Sequence, residues 1–430
     1  MAARTVMGNP SRVSAPLPNR FSDTGVKVAA LAAAQCAVYS FPVVFAVVCA
    51  RNLGPAPYGL VAFYTALTTV LCMFVEFGFD SIGVREVHSS HWRDRPAQVL
   101  WNITLAKLMI SLPTCAVVLP ILLATRSPAE NSMSYAMVVY MVAFALEPGW
   151  YLRSLELMWS AALVALVSRG VGIAVLVGTV TAPEDFTLAM WAYAFVAWAS
   201  AIVGWLLMHR FRLLKRPRID VPQLRSLFRS GAAIVLGNLS GAAISSGGVV
   251  ALGAMADPVL TGAANIAMRI RAAGLALLVP LGQLGYVRLS TLMADRAAAV
   301  RFGRRLFYLL MACSVLIALV ISSHVGSIVA FAYGPSQAPV AAFTLTSLVA
   351  LSLPVCMAGG LFGVQCLTLF HQERAYVLIG MAAAAVFFGL LFALRGVPAG
   401  FGWALLAADV LGALASGWMV RRLAVSDAPA

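Results

Sequence analysis

The chain has 430 residues, of which 61% are hydrophobic and only 11% charged. An ordinary soluble domain carries roughly 45–50% apolar and about 25% charged residues, so a water-soluble fold is excluded and a bilayer must solvate much of the surface. The net charge of +14 would suggest nucleic acid in a soluble protein. Here the cations lie between apolar segments and set orientation, so no nucleic-acid partner is expected.

Residues 1–25 contain Arg4, Arg12 and Arg20 with Pro10, Pro16 and Pro18 but no apolar core. That composition predicts a disordered cytoplasmic tail with no cleavable signal peptide. Apolar runs bounded by charge, Pro or Gly then follow at 26–50, 57–82, 99–124, 133–153, 158–181 and 187–209. A second set lies at 230–254, 260–285, 304–330, 338–364, 375–394 and 398–420. Each is near the roughly 20 residues that cross a bilayer as a helix. The expectation is an all-α polytopic membrane protein with about twelve transmembrane helices.

An even number of helices puts both termini on one side. The segments assigned to that side carry most of the Lys and Arg, including Arg85, Arg93, Arg95, Arg153, Arg288, Arg296, Arg301, Arg304, Arg305 and Arg374. The opposite loops carry Arg51, Arg126 and Arg395 alone. Positive charge accumulates on the cytoplasmic side of short loops, so both termini are expected in the cytoplasm.

The longest polar interruption, 210–229, holds Arg210, Arg212, Lys215, Arg216, Arg218, Arg225 and Arg229. It is read as a basic cytoplasmic linker between a six-helix lobe at 26–209 and another at 230–420, with a short tail at 421–430. One constant offset lays Pro55 on Pro258, Gly59 on Gly262 and Arg85 on Arg288. Six spans per lobe give both lobes the same orientation, so the repeat is parallel, as in transporters that rock two lobes about a central site.

Several chemistries have no motif. The chain has no GxxxxGK[ST] phosphate loop, HExxH or paired-Cys pattern, so ATP hydrolysis by that route is not expected, nor a metal or cofactor. The seven cysteines fall in or at the ends of apolar segments and read as small apolar residues. His88 and His91 lie beside Trp92 and Arg93 in a polar stretch that reads as solvated loop.

Ionisable residues inside the spans are informative because each costs roughly 2.5–3.5 kcal/mol at a helix centre on insertion scales. In the eighth helix Gly262, Asn265 and Arg269 share a face. That makes Arg269, with its bidentate guanidinium, the leading candidate for an anionic substrate, with a salt bridge to a core acid as the other reading. Arg271 lies about 200° further round a regular helix, so the two arginines are not expected to face one cavity. Lys107 in the third helix either snorkels to the interface or faces the cavity. Arg169 of Arg169-Gly170-Val171-Gly172 and Arg51 at the outer end of the first helix are secondary candidates. Glu76 and Asp80, one turn apart in the second helix, are candidates for ion coupling, or else for an ion pair with Arg85 or a neighbouring helix. Glu147, Glu156 and Asp409 are further acids in or near spans. Gly237-Asn238-Leu239-Ser240-Gly241 has the small-xxx-small pattern of tight helix packing.

Two stretches resemble the polysaccharide-flippase branch of the multidrug/oligosaccharidyl-lipid/polysaccharide exporter superfamily. The first is ARNLGPAPYG at 50–59, followed by FGFDSIGVRE at 77–86, in which Arg51, Leu53, Gly54, Tyr58, Gly59, Phe77, Gly78, Phe79, Arg85 and Glu86 match. The second is PGWYLRSLELM at 148–158, in which Trp150, Tyr151, Glu156 and Met158 match and Arg153-Ser154 replaces the family's Gln-Gly. The resemblance implies translocation of undecaprenyl-pyrophosphate-linked oligosaccharide repeat units across the bacterial inner membrane by alternating access, with no enzymatic step in this chain. A polysaccharide polymerase and glycosyltransferases would then be partners, alongside the membrane lipids. Physical chemistry agrees with that substrate: the lipid tail can stay in the bilayer, but pyrophosphate and sugars need a polar, cationic cavity.

Two other readings compete. A cation-coupled multidrug antiporter of the same fold would need buried acids, and the first helix has none. A polytopic glycosyltransferase or polysaccharide polymerase would need carboxylates in large outer loops, and the outer loops are short.

Overall fold

The computed structural model describes residues 24–89, 95–292, 295–367, 369–370 and 372–426. The expected tail up to residue 23, and His91 and Arg93, lie outside them, while Thr24 and Gly25 already belong to the first helix. Every regular element among the described residues is helical.

In chain order the α-helices are α1 (Thr24–Leu53), α2 (Pro55–Glu76), α3 (Phe79–His88), α4 (Pro96–Thr125), α5 (Asn131–Leu146), α6 (Gly149–Ser154), α7 (Met158–Thr179) and α8 (Phe186–Arg210). After an irregular stretch come α9 (Val221–Ala242), α10 (Gly248–Met255), α11 (Pro258–Ala276), α12 (Val279–Leu292), α13 (Arg296–Ser323) and α14 (Val325–Tyr333). The chain ends with α15 (Val340–Gly360), α16 (Glu373–Ala393) and α17 (Gly400–Ser426). All the expected apolar segments coincide with helices. Among the described residues nine helices are long and apolar enough to cross a membrane, and the bent pair α11–α12 makes a tenth. Shorter apolar stretches, Ser40–Leu53 and Ser240–Met255, lie in α1 and across α9–α10.

Several expected helices are interrupted. The second breaks at Phe77 and Gly78, both left-handed with φ of 47° and 72°. Glycine takes that conformation freely and Phe77 does not. Phe79 and Phe228 hold the turn, their rings 5.5 Å apart. The fourth breaks at Glu147 and Pro148, where proline cannot continue the hydrogen-bond ladder. The eighth bends by 43° between α11 and α12, and the ninth at His324. The seventh begins at Val221, well inside the expected linker, and carries a π-helical stretch at Ala243–Gly247 before α10.

Among the helices before the irregular stretch, α1 packs on α7, α7 on α8, α8 on α5, and α5 on α4 and α2. Later in the chain, α15 packs on α11, α13 and α17, and α16 on α17. The two sets meet most extensively along α2 and α11. Gly59 lies so close to the Pro258 carbonyl that a Cβ there would overlap it, and Gly262 faces Tyr58 and Gly59. The α5–α8 pair is tied by tryptophans at heptad intervals. Trp191 Nε1 donates to Ser132 Oγ (3.0 Å), Trp198 to the Val139 carbonyl (3.1 Å) and Trp205 to the Leu146 carbonyl (2.8 Å). Large exposed apolar residues such as Leu206, Leu316 and Leu414 form the surface that lipid would cover.

Candidate functional site

A cavity of about 390 Å³ lies against α11. Ser245 and Ser246 of the π-helical stretch, Asn265, Arg269 and Arg271 of α11, and Asp409 of α17 line it, with Ala66 of α2 closing one wall. π-Helical turns often occur at functional sites because the extra residue displaces backbone and side chains from the regular helix. Here the turn places two hydroxyl side chains at the cavity.

Asn265 and Arg269 come together in this cavity as the shared face predicts. Asn265 is buried and its Oδ1 accepts the Tyr58 hydroxyl at 2.9 Å, which leaves the NH₂ group as its donor. Arg269 is partly exposed, and no described carboxylate lies within ion-pair distance of it. Arg271 overturns the expectation that the two arginines cannot share a cavity. The lining spans about 160° of α11, from Arg271 through Asn265 to Arg269, so a wide cavity takes both. The salt bridge to a core acid belongs to Arg271: its Nη2 reaches Asp409 at 2.7 and 2.9 Å, with both side chains nearly buried.

A second charged group lies among the earlier helices. Lys107 of α4 is buried and its Nζ reaches Asp80 Oδ1 at 2.5 Å, so it does not snorkel to the interface. Its ammonium also sits 5.6 Å from the centre of the Phe144 ring. Arg153 of α6 lies 3.9 Å from Asp80. The partners of Asp80 are therefore on neighbouring helices, and Arg85 is not among them. Glu76 and Asp80 are not one regular turn apart, because the break at Phe77–Gly78 falls between them. Glu76 remains within electrostatic reach of Asp80, Lys107 and Arg153. Arg169 donates to the Ala165 carbonyl at 3.4 Å and lies within electrostatic reach of Glu147, whose Oε1 accepts Ser200 at 3.3 Å.

Arg51 joins neither group. It is exposed, with its guanidinium 5.6 Å from the centre of the Phe331 ring on α14. Gly241 borders the cavity, where a Cβ would meet nothing within 4 Å, while the adjacent Ser240 makes the expected tight helix contact, so close to Gly380 that a Cβ on that glycine would overlap it. Among the described residues no group of His, Cys, Asp and Glu is arranged to hold a metal.

The sequence reading missed the Arg271–Asp409 pair, although it singled out both residues as ionisable groups in spans. The signal was present: one cation and one anion in separate apolar helices satisfy each other most cheaply by meeting. It also missed Tyr58 as the partner of Asn265, which no local pattern announces.

A family model described as "Polysaccharide biosynthesis protein" matches residues 25–286, more than half of the chain. The chain belongs to this family. It is 22% identical over 368 residues to an Escherichia coli (strain K12) protein described as a "Putative O-antigen transporter", covering 85% of this chain and 88% of that one. Among solved structures it is similar to an inward-facing multidrug resistance MATE family transporter of the MOP superfamily, with a TM-score of 0.63 and 15% identity over 94% of this chain and 100% of the other. The lipid II flippase MurJ in an inward closed conformation gives a TM-score of 0.63 and 13% identity, covering 95% of this chain and 94% of that one. The fold is that of these transporters.

Proposed function

We propose that this family member is a flippase that moves undecaprenyl-pyrophosphate-linked oligosaccharide repeat units across the bacterial inner membrane for polysaccharide assembly. The observation that carries this reading is Arg269, a cation with no described acid partner in a cavity lined from both α2 and the later helices. A partly exposed guanidinium lining a cavity without an internal counter-ion suits a ligand that brings its own negative charge. The pyrophosphate supplies that charge, with Asn265, Ser245 and Ser246 as further donors for phosphate or sugar hydroxyls.

The two lobes, 26–209 and 230–420, rock about this cavity in alternating access. The contact of Gly59 with Pro258 and of Gly262 with Gly59 supports a parallel repeat, because elements related by a central two-fold axis meet each other at that axis. The termini and the 210–229 linker face the cytoplasm, in keeping with the Lys/Arg distribution. Glu76 and Asp80, beside Lys107, are the candidates for coupling to an ion gradient. Polymerase and glycosyltransferases act on the same lipid-linked chain before and after the transfer.

The test is export of glycan in cells whose own flippase is deleted. Arg269→Ala should reduce export on the order of 10–100-fold, the value of one charged hydrogen-bonding contact, while the protein stays abundant in the membrane. Arg269→Lys should restore only part, because the charge returns without the planar fork. Normal export by Arg269→Ala would place the headgroup site elsewhere.

A further inference from the structure

We propose that a second anion-binding site, separate from the α11 cavity, lies where the irregular stretch before α9 crosses the start of α4, and that it binds the phosphate headgroup of an anionic glycerophospholipid. A concavity of about 250 Å³ is lined there by Arg95, Ala97, Gln98, Lys215, Arg216 and Arg218. Four of these six residues are cationic and none is a carboxylate. Like charges converging on one concavity within a Debye length repel each other, and an anion in the concavity relieves that repulsion.

The cradle is built in advance of any ligand. Trp101 Nε1 donates to the Lys215 carbonyl at 3.0 Å. Asn102, fully buried, accepts the Asp220 backbone N–H at 3.1 Å and donates to Gln223 Oε1. Asp220 in turn caps α9 by accepting the Gln223 N–H at 2.9 Å. Two buried or partly buried side chains of α4 therefore fix the backbone that carries Lys215, Arg216 and Arg218. Charges that served only to orient the chain in the membrane would need no such fixing. The N-terminal end of the α4 dipole adds partial positive charge to the same concavity.

The surroundings specify a lipid rather than a soluble anion. Trp101 and Trp205 pack with ring centres 5.2 Å apart directly under the cradle, and tryptophan pairs of this kind sit at headgroup depth. Ile219 and Val221 flank it at 63% and 69% exposure, an apolar rim that acyl chains cover and water does not favour. Basic pockets between helices at this depth take lipid phosphates.

The test is native mass spectrometry of the full-length protein in detergent, titrated with phosphatidylglycerol or phosphatidylcholine. Phosphatidylglycerol should be retained over phosphatidylcholine. Arg216→Gln with Arg218→Gln should weaken that retention on the order of thirtyfold, the worth of two interfacial cations. Arg304→Gln with Arg305→Gln, an equal loss of charge on exposed positions of α13, should leave retention unchanged. Inorganic phosphate at the same concentration should not displace the lipid. The proposal is overturned if the Arg216/Arg218 variant retains the lipid as the native protein does. Equal loss in the control variant would also overturn it, as would displacement by inorganic phosphate.

Discussion

Arg271 of α11 and Asp409 of α17, 138 residues apart in the chain, form a nearly buried ion pair at 2.7 Å. Two residues earlier on the same helix, Arg269 faces the same cavity with no described acid within ion-pair distance. One helix thus supplies a cation that ties the later helices together and a second that, in the proposed function, meets the substrate. The roles follow from the partner each guanidinium meets, since the two side chains are chemically identical.

Removing one member of the tied pair should destabilise the protein. Asp409→Ala leaves Arg271 buried without a counter-ion, a loss of about 3–5 kcal/mol. It should appear as a lowered thermal midpoint in detergent. The double replacement Arg271→Met with Asp409→Leu should recover most of that loss, because no charge is then stranded.

The α2–α11 contact should tolerate no added volume at Gly59. Gly59→Ala places a methyl on the Pro258 carbonyl, so the helices must separate, and the thermal midpoint should fall. Gly170→Ala, where a Cβ meets nothing within 4 Å, should leave it unchanged or slightly raised, since alanine is the better helix former.

The tryptophan rungs between α5 and α8 should act as separable ties. Trp198→Phe keeps most of the ring but strips the donor from the Val139 carbonyl. The expected loss is about 0.6 kcal/mol, the mean value for a hydrogen bond between membrane helices. Replacing Trp191 and Trp198 together should cost about the sum, as the two indoles bond to different partners. A much larger combined loss would mark the rungs as one cooperative unit.

The charged group at Asp80 gives an expectation for coupling. Transport by Asp80→Asn and Glu76→Gln proteins should be compared under imposed pH and sodium gradients. Asp80→Asn should cost more, because it strands the buried Lys107 ammonium. Asp80→Asn with Lys107→Met should recover folding but not gradient dependence. Unchanged gradient dependence in all three proteins would remove this group from the coupling step.

Most of the fold was legible in the sequence because membrane spans announce themselves by length and apolarity alone. Expected segments such as 99–124 and 187–209 fall within single unbroken helices. The breaks were less legible. Pro148 ends α5, yet Pro42, Pro113 and Pro120 sit inside continuous helices, so proline by itself does not decide. The Phe77–Gly78 turn appeared only as a motif, and its left-handed geometry separates Glu76 from Asp80 in a way that helical spacing does not reveal. Asn265 and Arg269 were found because they share one helix face. The contacts of Arg271 with Asp409, Lys107 with Asp80, and Tyr58 with Asn265 join distant segments, and single-helix geometry carries no information about which distant helix is the neighbour.

The central claim is best tested with the purified protein in proteoliposomes that carry a fluorescent undecaprenyl-pyrophosphate-linked oligosaccharide in both leaflets. A membrane-impermeant glycosidase added outside cleaves only outward-facing sugar. With native protein the cleaved fraction should rise from about half towards completion on the timescale of transport. With Arg269→Ala it should stay near half. A cleaved fraction that stays near half with the folded native protein, under either an imposed proton or sodium gradient, would contradict the flippase reading.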